Sequence, residues 1–382
     1  GRPPPVAEPA PAAAAPSDVD LSSLGLDPAT GFDDKLNLYG FADFSWLTDH
    51  WSRDPVVVPQ DTKAFMVGNL NLYLARNLSA QARALAEIRF TFLPNGSPNL
   101  DGSVTDTTSY DASNFYRLAQ WGGIVIERAY AEYDVLDHLT VRGGHWLTPY
   151  GIWNTDHGSP VVITPSRPYV IGEAFFPEHQ TGLELFGSHS EAGYKIGYHA
   201  TVSNGRGASE GVSDQDNELA FGGRLALETP WGLKLGGSYY RGRYTGARGP
   251  AGAPALSFFE TAYGADARFD RGPLVIQGEL IVRHRHFPDG AGDGTDIGAY
   301  LIGGYRFDRW WNVMPFVFLE TERPSDPSIF THSYDANLGL NFRPTESLVL
   351  KAMATYLWFD DGPGVLDGIR DREFMAQAAW AF

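Results

Sequence analysis

From Lys35 onward the chain keeps returning to one pattern. Segments of about ten residues alternate apolar and polar side chains, the period of a strand with two unlike faces. Leu36, Leu38, Ala42 and Phe44 oppose Asn37, Tyr39, Asp43 and Ser45; Met66, Leu70 and Leu72 oppose Asn69, Asn71 and Tyr73. Ala82, Ala84, Ala86, Ile88 and Phe90 oppose Gln81, Arg83, Glu87, Arg89 and Thr91. The pattern predicts strands over 36–46, 64–74, 80–92, 124–133, 139–144, 181–187, 193–203, 217–228, 233–245, 257–270, 274–287, 296–307, 312–322, 331–343, 348–359 and 371–382. That makes about sixteen, each near the length a tilted membrane strand needs. The connections alternate short and long, as turns at one end of a closed barrel and loops at the other would.

Composition separates this reading from a soluble β-protein. Alternation keeps the mean hydropathy low, at -0.24, although aromatic residues make up 13% and glycines number 43. No apolar run approaches the eighteen or so residues of a membrane helix, and helical periodicity is hard to find. The expected fold is therefore all-β: a transmembrane antiparallel β-barrel of about sixteen strands with an inward-folded third loop. Trp231, Phe269, Phe307, Trp310 and Trp311 fall at the short turns, where a membrane interface would place an aromatic girdle. The net charge of -17 argues against a nucleic-acid partner. Zero cysteines fit an oxidising envelope compartment without disulfides. No signal peptide is present, so a barrel of this kind is expected as the mature chain in the outer membrane of a Gram-negative bacterium, among its lipids.

Residues 1–34 form a separate region. The Pro/Ala tract from Arg2 to Pro16 cannot bury a core and favours extended conformers. It reads as a periplasmic linker or a docking arm for a periplasmic or envelope protein, followed by a short helix or lumen-lying segment between Asp18 and Asp34. Residues 35–382 are the barrel.

The stretch from 124 to 180 carries the candidate site. Ile124, Ile126, Arg128, Tyr130 and Glu132 alternate with Val125, Ala129, Ala131 and Tyr133. Leu139, Val141 and Gly143 then alternate with Thr140, Arg142 and Gly144. After Trp146 no strand signal returns until about Thr181. A loop of roughly thirty residues is usually functional or disordered, and this one is too rich in Trp, Tyr, Phe, Ile and Val for disorder. Folded into the barrel, it would bring Tyr150, Trp153, Asp156, His157, Arg167, Glu173 and Glu178 against a wall of Arg83, Arg89, Arg128, Glu132 and Arg142. Opposed charges across such a constriction set up a transverse field that favours small polar solutes. The bland alternative for each arginine is pairing along its own strand, Arg83 with Glu87 or Arg128 with Glu132.

Acids also crowd the long loops: Asp101, Asp106 and Asp111; Glu210, Asp214 and Asp216; Asp289, Asp293 and Asp296; Asp360, Asp361, Asp367 and Asp371. They would form a negative vestibule that attracts cations. The run 289–296 does not match an EF-hand, and no metal or cofactor is expected. No Gly-x-Ser-x-Gly elbow and no phosphate-cradling loop occurs, so no catalytic residue and no enzyme activity is expected.

The run Leu139-Thr-Val-Arg142, Gly144-His-Trp-Leu-Thr-Pro-Tyr-Gly-Ile-Trp-Asn154, with Val202-Ser-Asn-Gly205 beyond it, resembles sixteen-stranded porins. Most similar is the phosphate-selective porin O and P family, where a related Arg-x-Gly-x-x-x-Thr-Pro-aromatic run opens the third loop. The last strand, with Phe374, Trp380 and Phe382 on one face, is similar to the C-terminal strand of outer-membrane barrels. The resemblance covers 35–382 and implies a water-filled channel for passive diffusion of small polar or ionic solutes, with a homotrimer as the usual assembly. The scattered lysines (Lys35, Lys63, Lys195, Lys234 and Lys351) depart from the lysine-lined pores of that family. They lead instead to an expectation of weak cation preference or near neutrality. The alternative reading is a barrel scaffold anchored to an envelope-spanning complex through residues 1–34.

Overall fold

The computed structural model describes residues 35–53, 63–91, 97–98, 104–105, 123–155, 158–172, 175–207, 216–245, 257–288, 290, 292–307 and 312–382. The 1–34 arm, Trp310, Trp311 and the acids Asp101, Asp106, Asp111, Glu210, Asp214 and Asp289 lie outside the described residues.

Sixteen long strands make one antiparallel sheet closed on itself. In chain order they are β1 (Leu36–Trp51), β2 (Lys63–Asn77), β3 (Ala82–Thr91), β4 (Gly123–Leu136), β5 (Leu139–Leu147), β6 (His179–Glu191), β7 (Tyr194–Ser203) and β8 (Ala220–Glu228). They continue with β9 (Leu233–Thr245), β10 (Ser257–Arg271), β11 (Leu274–His286), β12 (Gly294–Tyr305), β13 (Val313–Arg323), β14 (Ser333–Phe342), β15 (Leu348–Phe359) and β16 (Arg370–Ala381). Each pairs with the next. A two-residue strand, Arg206–Gly207, adds a short parallel pairing to the end of β9. Closure comes from β1 against β16, running from Phe41 opposite Ala381 to Trp51 opposite Asp371. Gly40 and Phe382 exchange both backbone hydrogen bonds at 2.9 Å. A closed sheet leaves no edge with unpaired N–H and C=O groups, the condition for a strand structure in hydrocarbon.

The two faces sort as the alternation predicts. Leu38, Leu183, Leu185, Leu225, Leu301, Leu338 and Phe374 are exposed on the outer face. Tyr39, Asp43, Asn71, Glu87, Arg142, Glu184 and Asn337 are buried on the inner one. Trp231, Phe307 and Phe382 are exposed beside the short turns. At the β6–β7 turn Ala192 and Gly193 both have positive φ (52° and 82°), the requirement of a two-residue hairpin whose twist matches its strands.

Two face assignments are overturned: a register shift in the β1–β2 pairing sets Met66 opposite the inward Ser45, off the face of Leu70 and Leu72, and a second shift changes β4. Ile126 is exposed, whereas Glu127 and Arg128 are both buried. The β3–β4 register shifts between Glu87 and Ile88, which face Arg128 and Ile126. Glu127 is the extra residue of a bulge, so the alternation changes phase there.

Two long-loop segments are stitched together. Asp367 accepts from the Thr331 amide (2.8 Å), the Thr331 hydroxyl (2.6 Å) and the Gly364 amide (2.9 Å). Burial alone would raise its pKa, but the Thr331 and Gly364 donors hold it below the usual carboxylate value. A depressed folded pKa contributes stability that is fully present above the unfolded value, about 3.9, and is lost as pH falls through the folded one. Asp367→Asn is therefore expected to cut hydrogen-exchange protection of the Thr331 and Gly364 amides about tenfold at neutral pH. The difference from wild type should vanish in strong acid; a difference independent of pH would show that the charge is not responsible.

Candidate functional site

Thr148 and Asn154 close the neck of the segment between β5 and β6. The Thr148 amide donates to the Glu178 carbonyl (3.0 Å) and its hydroxyl to the Pro177 carbonyl (2.5 Å). Asn154 Nδ2 donates to the carbonyls of Thr148 and Glu178, both at 2.9 Å. These bonds give the Thr-Pro-Tyr-Gly-Ile-Trp-Asn run its physical meaning: its polar residues tie the two ends of the segment, and its aromatic ones enter the wall.

Tyr150 is fully buried, its hydroxyl 2.7 Å from Thr201 Oγ1 on β7 and donating to Gln180 Oε1 on β6 (3.2 Å). Burial raises the phenol's pKa, so it stays neutral. The Gly151 amide donates to Ser238 Oγ on β9 (3.2 Å) and the Trp153 amide to Glu279 Oε1 on β11 (2.7 Å). Gly151 has φ +80°, and any Cβ there would overlap the Glu279 carboxylate. Tyr300 of β12 also donates to Glu279 (2.6 Å) and meets the Trp153 ring edge-on. Glu279 is therefore a buried acceptor that positions the segment. Further along, a single helical turn, α1 (Tyr169–Gly172), places the Tyr169 amide 2.6 Å from Glu320 on β13. Val170, Phe175 and Phe176 pack with Tyr240, Ile302, Phe316, Phe318 and Met353 of the wall.

Residues 159–165 are clasped by side chains of four strands and one turn. Lys351 Nζ on β15 donates to the carbonyls of Ser159 (2.6 Å) and Thr164 (3.0 Å). Asn341 on β14 donates to Ile163 (2.9 Å), Arg343 after it to Val161 (3.1 Å), and Gln377 on β16 to Pro165 (3.4 Å). Ser159 Oγ donates to Asp43 on β1 (2.5 Å).

The opposite wall, β2 to β6, is an ion-pair network. Arg128 donates to Glu87 (2.5 Å), Arg142 to Glu132 (2.7 Å) and Glu184 (2.6 Å), and Arg89 to Glu127 (3.2 Å). Arg83 bridges Glu132 and Asp134. The Arg142 guanidinium also lies 4.5 Å from the ring centres of both Tyr130 and Phe186. The arginines do pair, but not along their own strands. Residues i and i+4 on a strand are about 13 Å apart, whereas cross-strand neighbours stand about 5 Å apart. The register sets Arg83 opposite Glu132 and Glu87 opposite Arg128, exchanging the two expected partners.

The predicted residues thus divide. Arg83, Arg89, Arg128, Glu132 and Arg142 come together on one wall, and Tyr150 and Trp153 enter the apolar cluster on the other side. Arg167 pairs with Glu178 (3.1 Å) in a half-exposed contact at the neck. Asp156, His157 and Glu173 lie outside the described residues. Sequence reasoning missed Glu184, Glu279, Lys351, Arg343 and Arg306 as site residues. Alternation marks the strand members as inward, but only register and the path of the segment reveal their partners. Arg343 is pulled down to about 10 by burial and by the neighbouring charge of Arg306.

No family model matches the chain. It is 30% identical over 139 residues to an uncharacterised protein of Aquifex aeolicus (strain VF5), a match spanning 31% of this chain and 30% of that relative. Among solved structures it is similar to the anion-selective porin from Comamonas acidovorans, with a TM-score of 0.61 and 13% identity over 91% of this chain and 99% of the other. The outer membrane channel DcaP of Acinetobacter baumannii gives 0.57 and 10%, over 91% and 97%. The trimer form of OmpT, an outer membrane protein of Vibrio cholerae, gives 0.55 and 8%, over 91% and 99%. At such identities the likeness shows the fold: the chain has the barrel of outer-membrane porins and channels.

Proposed function

We propose that the chain is an outer-membrane porin, a water-filled channel for passive diffusion of small polar or ionic solutes in a Gram-negative bacterium. One observation carries this reading: a closed barrel, apolar outside and ionic inside, whose 148–178 segment bonds residues of β1, β7, β9, β11 and β13–β16. A segment with partners on so many sides of a closed barrel would lie across its lumen and leave a constriction against the arginine wall. The assembly we propose is a homotrimer, in line with the porin resemblance and with the trimer form of the Vibrio cholerae neighbour. Purified protein in a planar bilayer should give stepwise conductance, and its complete absence would overturn the reading.

Selectivity is expected to be weak, with a slight cation preference. Arg83, Arg89, Arg128 and Arg142 each have a carboxylate partner, so that side of the constriction carries little net positive charge. Reversal potentials across a KCl gradient test this. A strong anion preference that persists at about 1 M salt, where screening acts within roughly 3 Å, would contradict it.

A further inference from the structure

In one sector of the wall the charges that make no ion pair among the described residues are sorted along the barrel axis. On β13, β14 and β16, toward the long loops, stand Glu320, Asp335 and Glu373. Glu320 and Asp335 face each other in register, and among the described residues neither they nor Glu373 bond an arginine or lysine. Glu320 takes the Tyr169 amide (2.6 Å) and Asp335 the Asn337 side-chain amide (2.8 Å). A facing pair that shares one proton carries one negative charge. Toward the short turns of the same sector stand Arg306, Arg343 and Lys351. Arg306 follows Tyr300, Ile302 and Gly304 on the inward parity of β12; Arg343 and Lys351 spend their hydrogen bonds on main-chain carbonyls. Between the two groups the wall carries no charged side chain: Ile302, Phe316, Phe318 and Met353 lie there with the polar Asn337 and Thr355. Other sectors hold acid–base pairs that neutralise each other, as in Arg206 with Glu260 and Arg224 with Asp266.

We propose that this sorting makes the pore bipolar, so that it conducts small monovalent ions better when the loop side is positive than when it is negative. The inference rests on the porin reading. With the loop side positive, cations enter past the carboxylates and anions past the arginines. Each meets the end that attracts it, and both accumulate in the narrow middle. With the polarity reversed, each must enter past its own sign, and the middle is depleted. The same opposition explains how strong local charge can coexist with weak overall selectivity.

The test is single-channel current at equal and opposite voltages. Orientation is read by a charged thiol reagent on Pro327→Cys, an exposed loop position in a chain with no other cysteine. In about 0.1 M KCl the loop-positive current should exceed the loop-negative one by about 1.5-fold or more, and the ratio should approach one near 1 M as the Debye length falls to roughly 3 Å. Arg306→Gln and Glu373→Gln should each lower the ratio, and together lower it further, since they remove one charge from each end. Neither takes part in the clasp on residues 159–165. An ohmic channel, rectification of the opposite sign, or a ratio unchanged in the double variant overturns the proposal and leaves the porin reading standing. Absence of any conductance overturns both.

Discussion

Lys351→Met is expected to free the tip of the 148–178 segment and to raise open-channel current and its noise, with little loss of barrel stability. Lys351 is almost fully buried, and its ammonium is held by two carbonyls of that segment, Ser159 and Thr164. Methionine matches the length of the stem but donates nothing. Two opposing effects decide the outcome. Removing a buried cation relieves a large desolvation cost, so global stability should hold or rise. Leaving two carbonyls without donors costs about 1–3 kcal/mol each, and that cost falls on the segment alone, which can escape it by moving into water. The segment should therefore detach while the strands remain. Resistance of the folded barrel to heat in detergent should match wild type as the current rises. An unchanged current with an unchanged melting temperature would show that the remaining donors, Asn341, Arg343 and Gln377, suffice to hold the tip.

Arg142→Ala is expected to do the reverse, destabilising the barrel more than it alters conduction. Arg142 is buried between Glu132 and Glu184 and sandwiched between two rings. Removing it leaves two buried carboxylates facing each other, a loss of roughly 3–5 kcal/mol for a broken buried pair. Arg89→Ala is the contrast. That side chain is 30% exposed, so water can take its place beside the buried Glu127 and the loss should be smaller. The melting temperature of the Arg142 variant should fall well below that of the Arg89 variant. Adding Glu184→Gln should recover part of the loss, because one stranded charge is then gone. Equal melting temperatures for both single variants would mean that the network is not what holds this part of the wall.

The contrast between these residues marks where sequence reasoning stops. Alternation by itself determined the barrel, the strand count, the inward parity of Arg83, Arg128 and Arg142, and the outward parity of Leu38, Phe374 and Phe382. It could do so because strand periodicity is local: successive side chains point to opposite faces whatever the partner strand is. It failed at Ile126, where a bulge on the neighbouring pairing changes phase without leaving a mark in composition. It also could not choose partners. Glu132 looks like the mate of Arg128 along one strand, and register gives it to Arg83 and Arg142 instead. Nor could it see that Lys351, one of five scattered lysines, meets Ser159 and Thr164, which lie far from it in the chain. Those pairings depend on closure of the sheet and on the path of 148–178 past Glu279, Glu320 and Asp43. Only tertiary structure sets them, because distances across a barrel follow from shear and register rather than from spacing in the chain.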